Sequence, residues 1–302
     1  MIDLFLKYIE FEKRYSSHTL ISYKTDLQQF ADFLFTTYQL SEPDKANFPL
    51  IRDWIASLAN QDISSKSINR KIASLRSYYK FLLKKSLITK DPTVKVKAPK
   101  IRKRLPLYIE EKDINLLLDH LVFTDDFKGL RDKLIFELLY GTGIRLSELI
   151  GLKVSDINQF ENTIKVLGKG NKQRIIPLNK SLVNLINVYK DKIKENMETT
   201  HEYLIVTDKG EEAYPMFIQR VVKKYLESGI TVDGISRPIT TIEKKSPHIL
   251  RHSFATHMLN KGADLNAIKD LLGHSSLAAT QVYTHNSIEK LKAIFDQAHP
   301  KS

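Results

Sequence analysis

NTIKVLGKGNKQRIIPL, residues 162–178, alternates apolar and polar positions on either side of a glycine-bearing centre. Such a period of two, broken by Gly168 and Gly170, predicts an antiparallel β-hairpin. Its surroundings read differently. Across most of the 302 residues the apolar positions recur three and four apart, the period of amphipathic helices. The pattern predicts a mainly α protein with a small antiparallel β-sheet in its C-terminal part.

Upstream of the hairpin the helices are plain. MIDLFLKYIEFEKRY, residues 1–15, mixes Asp3, Lys7 and Glu10 among apolar positions, which is an amphipathic helix and not a signal peptide. TLISYKTDLQQFADFLF spaces Leu20, Tyr23, Leu27, Phe30 and Leu34 at helical intervals, with Ser16, Ser17 and Thr19 offering capping oxygens ahead of it. FPLIRDWIASLAN predicts a third helix. SSKSINRKIASLRSYYKFLLKKS, residues 64–86, predicts a fourth, with Ile68, Ile72, Leu75, Tyr79 and Leu82 on one face and Lys66, Arg70, Ser77 and Lys80 on the other.

VKVKAPKIRKRLP, residues 94–106, is basic, holds two prolines and has no helical period, so it reads as a linker. The expected organisation is a helical domain over 1–92, a linker over 93–106 and a second domain over 107–302. In the second, helices are expected near 110–120, 128–140, 179–195, 214–228, 264–272 and 276–283. Another begins near Pro247, and a tail helix covers SIEKLKAIFDQ, residues 287–297.

Charge narrows the function. Residues 61–105 carry 14 Lys and Arg against Asp62 and Asp91, an excess equal to the +12 of the whole chain. The remainder is balanced. A basic excess confined to one stretch is the footprint of a nucleic-acid binder. Lys66, Arg70 and Lys80 on the fourth helix, and Arg102, Lys103 and Arg104 in the linker, are the candidate phosphate contacts. There are no cysteines, which excludes disulfides, thiol catalysis and Cys-ligated zinc. No apolar run reaches bilayer length. A cytoplasmic location without membrane attachment is expected.

HILRHSFATH, residues 248–257, carries the first chemistry. His248 and His252 have zinc-like spacing, yet Ile249 stands where the zinc-protease pattern needs Glu, and Arg251 would oppose a second cation. His252 and His257 read as structural or surface residues. His248 and Arg251, three apart, present an imidazole and a guanidinium fork on one helical side, which suits a phosphate. GTGIRLSELIGL adds Arg145 after a turn that Gly141 and Gly143 permit. Arg145 begins a helix, where backbone N–H groups favour anions, and Glu148 is placed to brace it or to cap the helix. Lys169 sits between the hairpin glycines. LLGHSSLAATQVYTH supplies His274 after a glycine and then Tyr283.

Taken in this order and at these spacings, GTGIRLSEL, the GKG hairpin, HILRH, LLGH and VYTH resemble the tyrosine recombinases. Within them the chain is most similar to the bacterial XerC/XerD chromosome-dimer resolvases. The resemblance spans nearly the whole chain. It implies a two-domain clamp on DNA, a helical SAM-like core-binding domain followed by the catalytic domain. It also implies Arg145 and Arg251 as the catalytic arginines, Lys169 as the hairpin lysine, His248 and His274 as the histidines, and Tyr283 as the nucleophile. Implied partners are a double-stranded recombination site, protomers of the chain or a paralogue in a tetramer on DNA, and a DNA translocase as activator. The tail helix is implied to dock on a neighbouring protomer, although its periodicity fits docking on its own domain equally well.

The chemistry fits these residue types. Attack on a phosphodiester builds negative charge on the non-bridging oxygens. Two guanidiniums and two imidazoles can donate to it, each worth roughly 3–4 kcal/mol of barrier. No metal or cofactor is called for. A type IB topoisomerase-like relaxing enzyme would use the same groups without partner assembly, and a non-enzymatic DNA binder would use them only to hold phosphate. The chain begins almost at the first helices and leaves no space for the arm-binding domain of many phage integrases. That favours an Xer-type enzyme over such a phage integrase, while a small transposon integrase stays an open alternative.

Overall fold

The computed structural model describes residues 1–101, 108–120, 123–168, 172–196, 202–228, 230–232, 235–237, 245–273 and 285–299. The chain divides into two compact units, Met1–Leu105 and Pro106–Ser302.

The first unit is all helical: α1 (Ile2–Lys7), running on into a π-type turn over Tyr8–Glu12, then α2 (Ser17–Tyr38), α3 (Phe48–Asn60) and α4 (Ser65–Lys84). The starts follow the capping residues. Ser16 accepts from the Thr19 amide at 3.3 Å, Asn47 from Leu50 at 3.2 Å, and Ser64 from Ser67 at 3.3 Å. The predicted apolar face of α4 is buried throughout, packed with Leu27, Phe30 and Leu34 of α2 and Trp54 of α3. Under this core lies a charge that the helical pattern does not advertise. Asp26 is fully buried and accepts from Arg70 (2.5 Å), Lys71 (3.1 Å) and Ser74 (2.8 Å). Residues of the expected linker also pack here: Val96 is in the core, and Asn69 donates to the Pro99 carbonyl at 3.0 Å.

The second unit is built around α6 (Phe127–Thr142), whose residues from Leu134 to Thr142 are all buried. A helix buried around its circumference belongs at the centre of a larger domain, and here two of its buried charges, Arg131 and Asp132, pair with each other. Around it stand α5 (Glu111–His120), α7 (Leu146–Ile150), α8 (Lys180–Asn196), α9 (Pro215–Ser228), α10 (Pro247–Asn260), α11 (Leu265–Leu272) and α12 (His285–Ala298). The predicted hairpin is β2 (Thr163–Leu167) against β3 (Gln173–Pro177), antiparallel with Leu167 opposite Gln173. A short β1 (Ile157–Asn158) adds a third strand, and β4 (Ile230–Val232) pairs with β5 (Ile235–Arg237) as a separate ribbon. Neither was expected, because strands of two or three residues are too short to show alternation. The helix expected near 276–283 lies outside the described residues.

His257 is structural, as its position in the sequence suggested. Its Nε2 lies 2.9 Å from the Ile109 carbonyl, and its Nδ1 lies 2.9 Å from the Tyr140 hydroxyl. A carbonyl only accepts, so Nε2 carries the proton and Nδ1 takes the tyrosine's. Burial holds this imidazole below its ordinary pKa, in keeping with the neutral form. The end of α12 packs on its own unit. Phe295 and Ala298 are in the core, His299 Nε2 is 2.9 Å from the Gly141 carbonyl, and Lys261 donates to the His299 carbonyl at 3.1 Å.

Candidate active site

The site is assembled at the C-terminal end of α11. Asp264 caps the start of that helix through the amides of Asn266 (2.9 Å) and Ala267 (3.0 Å). Gly273 ends it in the left-handed region, at φ +62°. A helix end leaves its last carbonyls without partners inside the helix and carries the negative pole of the macrodipole. Three arginines from three other elements dock on three consecutive carbonyls there. Arg174 Nε donates to Leu271 O (2.7 Å), Arg251 Nη2 to Leu272 O (2.6 Å) and Arg145 Nη2 to Gly273 O (2.7 Å).

Each guanidinium has a second anchor. Arg251, on α10, donates through Nη1 to the carbonyl of Gly143, the residue that ends α6 in the left-handed region at φ +61°. Arg145 donates through Nη1 to Glu148 Oε1 at 2.7 Å. Glu148 both braces the arginine and caps α7, because its Oε2 accepts the Arg145 amide at 2.7 Å. That amide is therefore committed within the protein and is not open to an outside anion. Arg174 closes the network with a bidentate pair on Glu148, at 2.7 and 2.8 Å. Gly141, read from the sequence as part of the turn, lies within α6, and only Gly143 adopts the left-handed conformation.

The electrostatics are lopsided. Burial by itself would raise the Glu148 pKa, but the hydrogen bonds and charge of Arg174, followed by those of Arg145, hold it at about 2. Arg251 is pulled the other way. Burial first, and then the charge of Arg145, push it down to about 10. Two guanidiniums are thus held close to one another, partly desolvated, with the only described carboxylate among them already saturated. Arg145 keeps 31% of its side chain exposed. Its contacts, like those of Arg251, use two of the five N–H donors of a guanidinium, leaving the rest for an anion.

The structure thus brings Arg145 and Arg251 together. His248 is exposed at the second position of α10, the helix that carries Arg251. Lys169, His274 and Tyr283 lie outside the described residues, as do Arg102, Lys103 and Arg104. In the first unit Lys66, Arg70 and Lys80 are exposed. Arg70 is tied to Asp26 and to Ser22 (2.6 Å), and Ser77 meets the Tyr23 hydroxyl at 3.2 Å in the helix interface, away from the basic face it was expected to join. Arg174 was not foreseen. On a β-strand reading it is one polar position among several, and only its burial sets it apart.

Residues 108–290 match the phage integrase family, and residues 2–86 match the SAM-like N-terminal domain of phage integrases. The chain belongs to the phage integrase family, the tyrosine recombinases. Tyrosine recombinase XerC of Chlorobaculum parvum is 36% identical, over 99% of this chain and 94% of that protein. Tyrosine recombinase XerD of Staphylococcus epidermidis is 35% identical, over 100% and 99%. Two solved structures share the fold of this tyrosine recombinase at 19% identity. One is the XerH site-specific recombinase bound to a palindromic difH substrate, with a TM-score of 0.71 over 97% of this chain and 83% of that one. The other is the Tn1549 transposon integrase in complex with transposon right-end DNA, with a TM-score of 0.70 over 96% and 97%. Membership makes the chain a site-specific DNA recombinase by class.

Proposed function

We propose that this recombinase cleaves and rejoins DNA strands at a specific duplex site through a 3′-phosphotyrosine link formed by Tyr283. The observation that carries this reading is the anchoring of Arg145 and Arg251 on adjacent carbonyls of one helix end, Gly273 and Leu272. The next residue in the chain is His274, and Tyr283 follows in the same stretch.

In this reading the two arginines, with His248 and His274, donate to the non-bridging oxygens of the scissile phosphate. Burial and then the charge of Arg145 lower the Arg251 pKa, and both costs are offset when an anion arrives, most when the pentavalent transition state adds charge. Tyr283 attacks phosphorus and displaces the deoxyribose 5′-oxygen, which Lys169 protonates as it leaves. A phenol ionises only near pH 10 in water, so the adjacent cations also favour its phenolate. The phosphotyrosine conserves the bond energy, and a different 5′-hydroxyl then reverses the step without ATP.

The basic face of α4 and the linker arginines would follow the DNA backbone while the two domains clamp the duplex. The similarity to XerC and XerD supports chromosome-dimer resolution at segregation, in the cytoplasm, by a tetramer of this chain or of this chain and a paralogue, activated by a DNA translocase. Tail exchange between protomers would require the end of α12 to leave the seat that Phe295 and His299 occupy on their own unit.

Incubation with nicked duplex from the terminus region of the host chromosome tests the reading. The wild type should become covalently trapped on the 3′ side of the break, and Tyr283→Phe should not. Failure of both to be trapped would leave a phosphate-binding protein without strand chemistry. Relaxation of supercoiled DNA by a monomer, with no site preference, would point to topoisomerase-like action.

A further inference from the structure

Resting on the recombinase reading above, we propose that Arg174 is a positioning residue for strand cleavage: it neutralises Glu148, so that Arg145 keeps its full positive charge for the scissile phosphate.

Arg174 does not meet the phosphate itself. Its side chain is 5% exposed, that of Glu148 is 2% exposed, and all three of its nitrogens donate within the protein, to Leu271 O and to both oxygens of Glu148. It therefore acts through Glu148. That carboxylate has about four acceptor positions. All are filled, two by Arg145 and two by Arg174. The split matters because Glu148 is needed and harmful at once. It fixes the Arg145 guanidinium and caps α7, but its charge stands beside the place where an anionic transition state must be stabilised. Arg145 and Arg251 with Glu148 alone would present a net +1. With Arg174 the cluster presents +2, the value for two unopposed arginines. Glu148 can then hold Arg145 in place without cancelling it.

The surrounding backbone makes room for this pair. A Cβ on Gly273 would stand 3.0 Å from Arg174 Nη1 and 3.3 Å from its Cδ and Cζ. One on Gly168 would stand 3.4 Å from Glu148 Oε1 and 3.5 Å from Arg174 Nη1. The glycines of LLGH and of the GKG hairpin thus flank the same ion pair from opposite sides of the sequence. Through Leu271 O the pair also ties β3, the strand that follows the Lys169 turn, to the helix end that precedes His274. A lysine at 174 would keep the charge but could not make the three planar contacts of the fork.

Single-turnover trapping on the same nicked duplex, with DNA affinity and melting temperature measured on each full-length variant, tests the proposal. Arg174→Gln should slow trapping by about 100-fold, comparable to removing a transition-state donor. Its DNA dissociation constant should stay within about threefold, because no phosphate contact is lost. Adding Glu148→Gln to Arg174→Gln should recover about tenfold of the rate by removing the uncancelled charge, which loss of packing alone would not allow. Arg174→Lys, which keeps the buried charge, should melt near the wild type and still be slowed about tenfold. Trapping of Arg174→Gln at the wild-type rate overturns the proposal, and so does a slow Arg174→Gln that Glu148→Gln fails to speed up. If Arg174→Gln does not fold, a folded Arg174→Lys slowed by about 100-fold overturns it, because the cancelling charge is still present. A wild type that is not trapped at all sinks the recombinase reading, and this proposal with it.

Discussion

Three glycine-to-alanine substitutions in the second unit should separate backbone strain from steric conflict, and one of them should reach the active site. Gly262 has φ +84°, with nothing within 4 Å of a Cβ built there. Gly262→Ala should therefore cost only the left-handed backbone penalty, about 1–2 kcal/mol. Gly151 has an ordinary negative φ, and its nearest neighbour would be Ser147 O at 3.5 Å, so Gly151→Ala should lie within about 0.5 kcal/mol of wild type. Gly143 combines both problems. Its φ is +61°, and a methyl would stand 2.5 Å from Phe254 Cδ1 and 2.9 Å from Leu272 Cδ2. Phe254 is fully buried and has little space to yield. Overpacking adds about 1–3 kcal/mol to the backbone term, for a total of about 2–5 kcal/mol.

The displacement also has a direction. Restoring ordinary contact requires a shift of roughly 1 Å, and the parts that must move carry both carbonyls that hold Arg251, those of Gly143 and Leu272. A 1 Å misplacement of this kind costs on the order of 100-fold in rate. Urea unfolding followed by far-UV circular dichroism gives the stabilities. Fluorescence of Trp54, the single tryptophan, reports on the first unit and should show an unchanged transition. Covalent trapping on nicked duplex gives the rates. A Gly143→Ala variant no less stable than Gly262→Ala, or a destabilised one that cleaves at the wild-type rate, would refute the steric argument and its link to Arg251.

Two further outcomes follow from buried charges. The folded pKa of Glu148, about 2, lies below the ordinary 4.5, so the unfolded chain takes up the proton first as pH falls. Its contribution to stability is complete above about pH 4.5 and is lost towards pH 2, on the order of 3 kcal/mol in all. Urea midpoints of wild type and Glu148→Gln should therefore differ most near neutrality and converge in acid; a gap independent of pH would count against the pairing. In the first unit, Asp26→Asn should leave Lys71 buried beside a neutral group and cost about 3–5 kcal/mol, read from Trp54 fluorescence. A loss below about 1 kcal/mol would mean that Lys71 escapes to solvent instead.

The amino-acid sequence alone determined the helices with long periodic faces, the β2–β3 hairpin and the residue types that suit a phosphate, because periodicity, caps and residue chemistry are local properties. It also carried the family, since the motifs recur in order. The short strands of β1, β4 and β5 were invisible because two or three residues cannot show a period. Arg174 and Asp26 were illegible for a different reason. A charged residue in a strand or on a helix declares its type but not its partner, and each of these acquires a role only through a residue far away in the chain. Tertiary structure alone decided that three arginines share one helix end, that Glu148 is saturated, and that the end of α12 packs on its own unit. Carbonyls at a helix terminus are alike in every sequence. Which cations reach them is fixed by how distant segments pack.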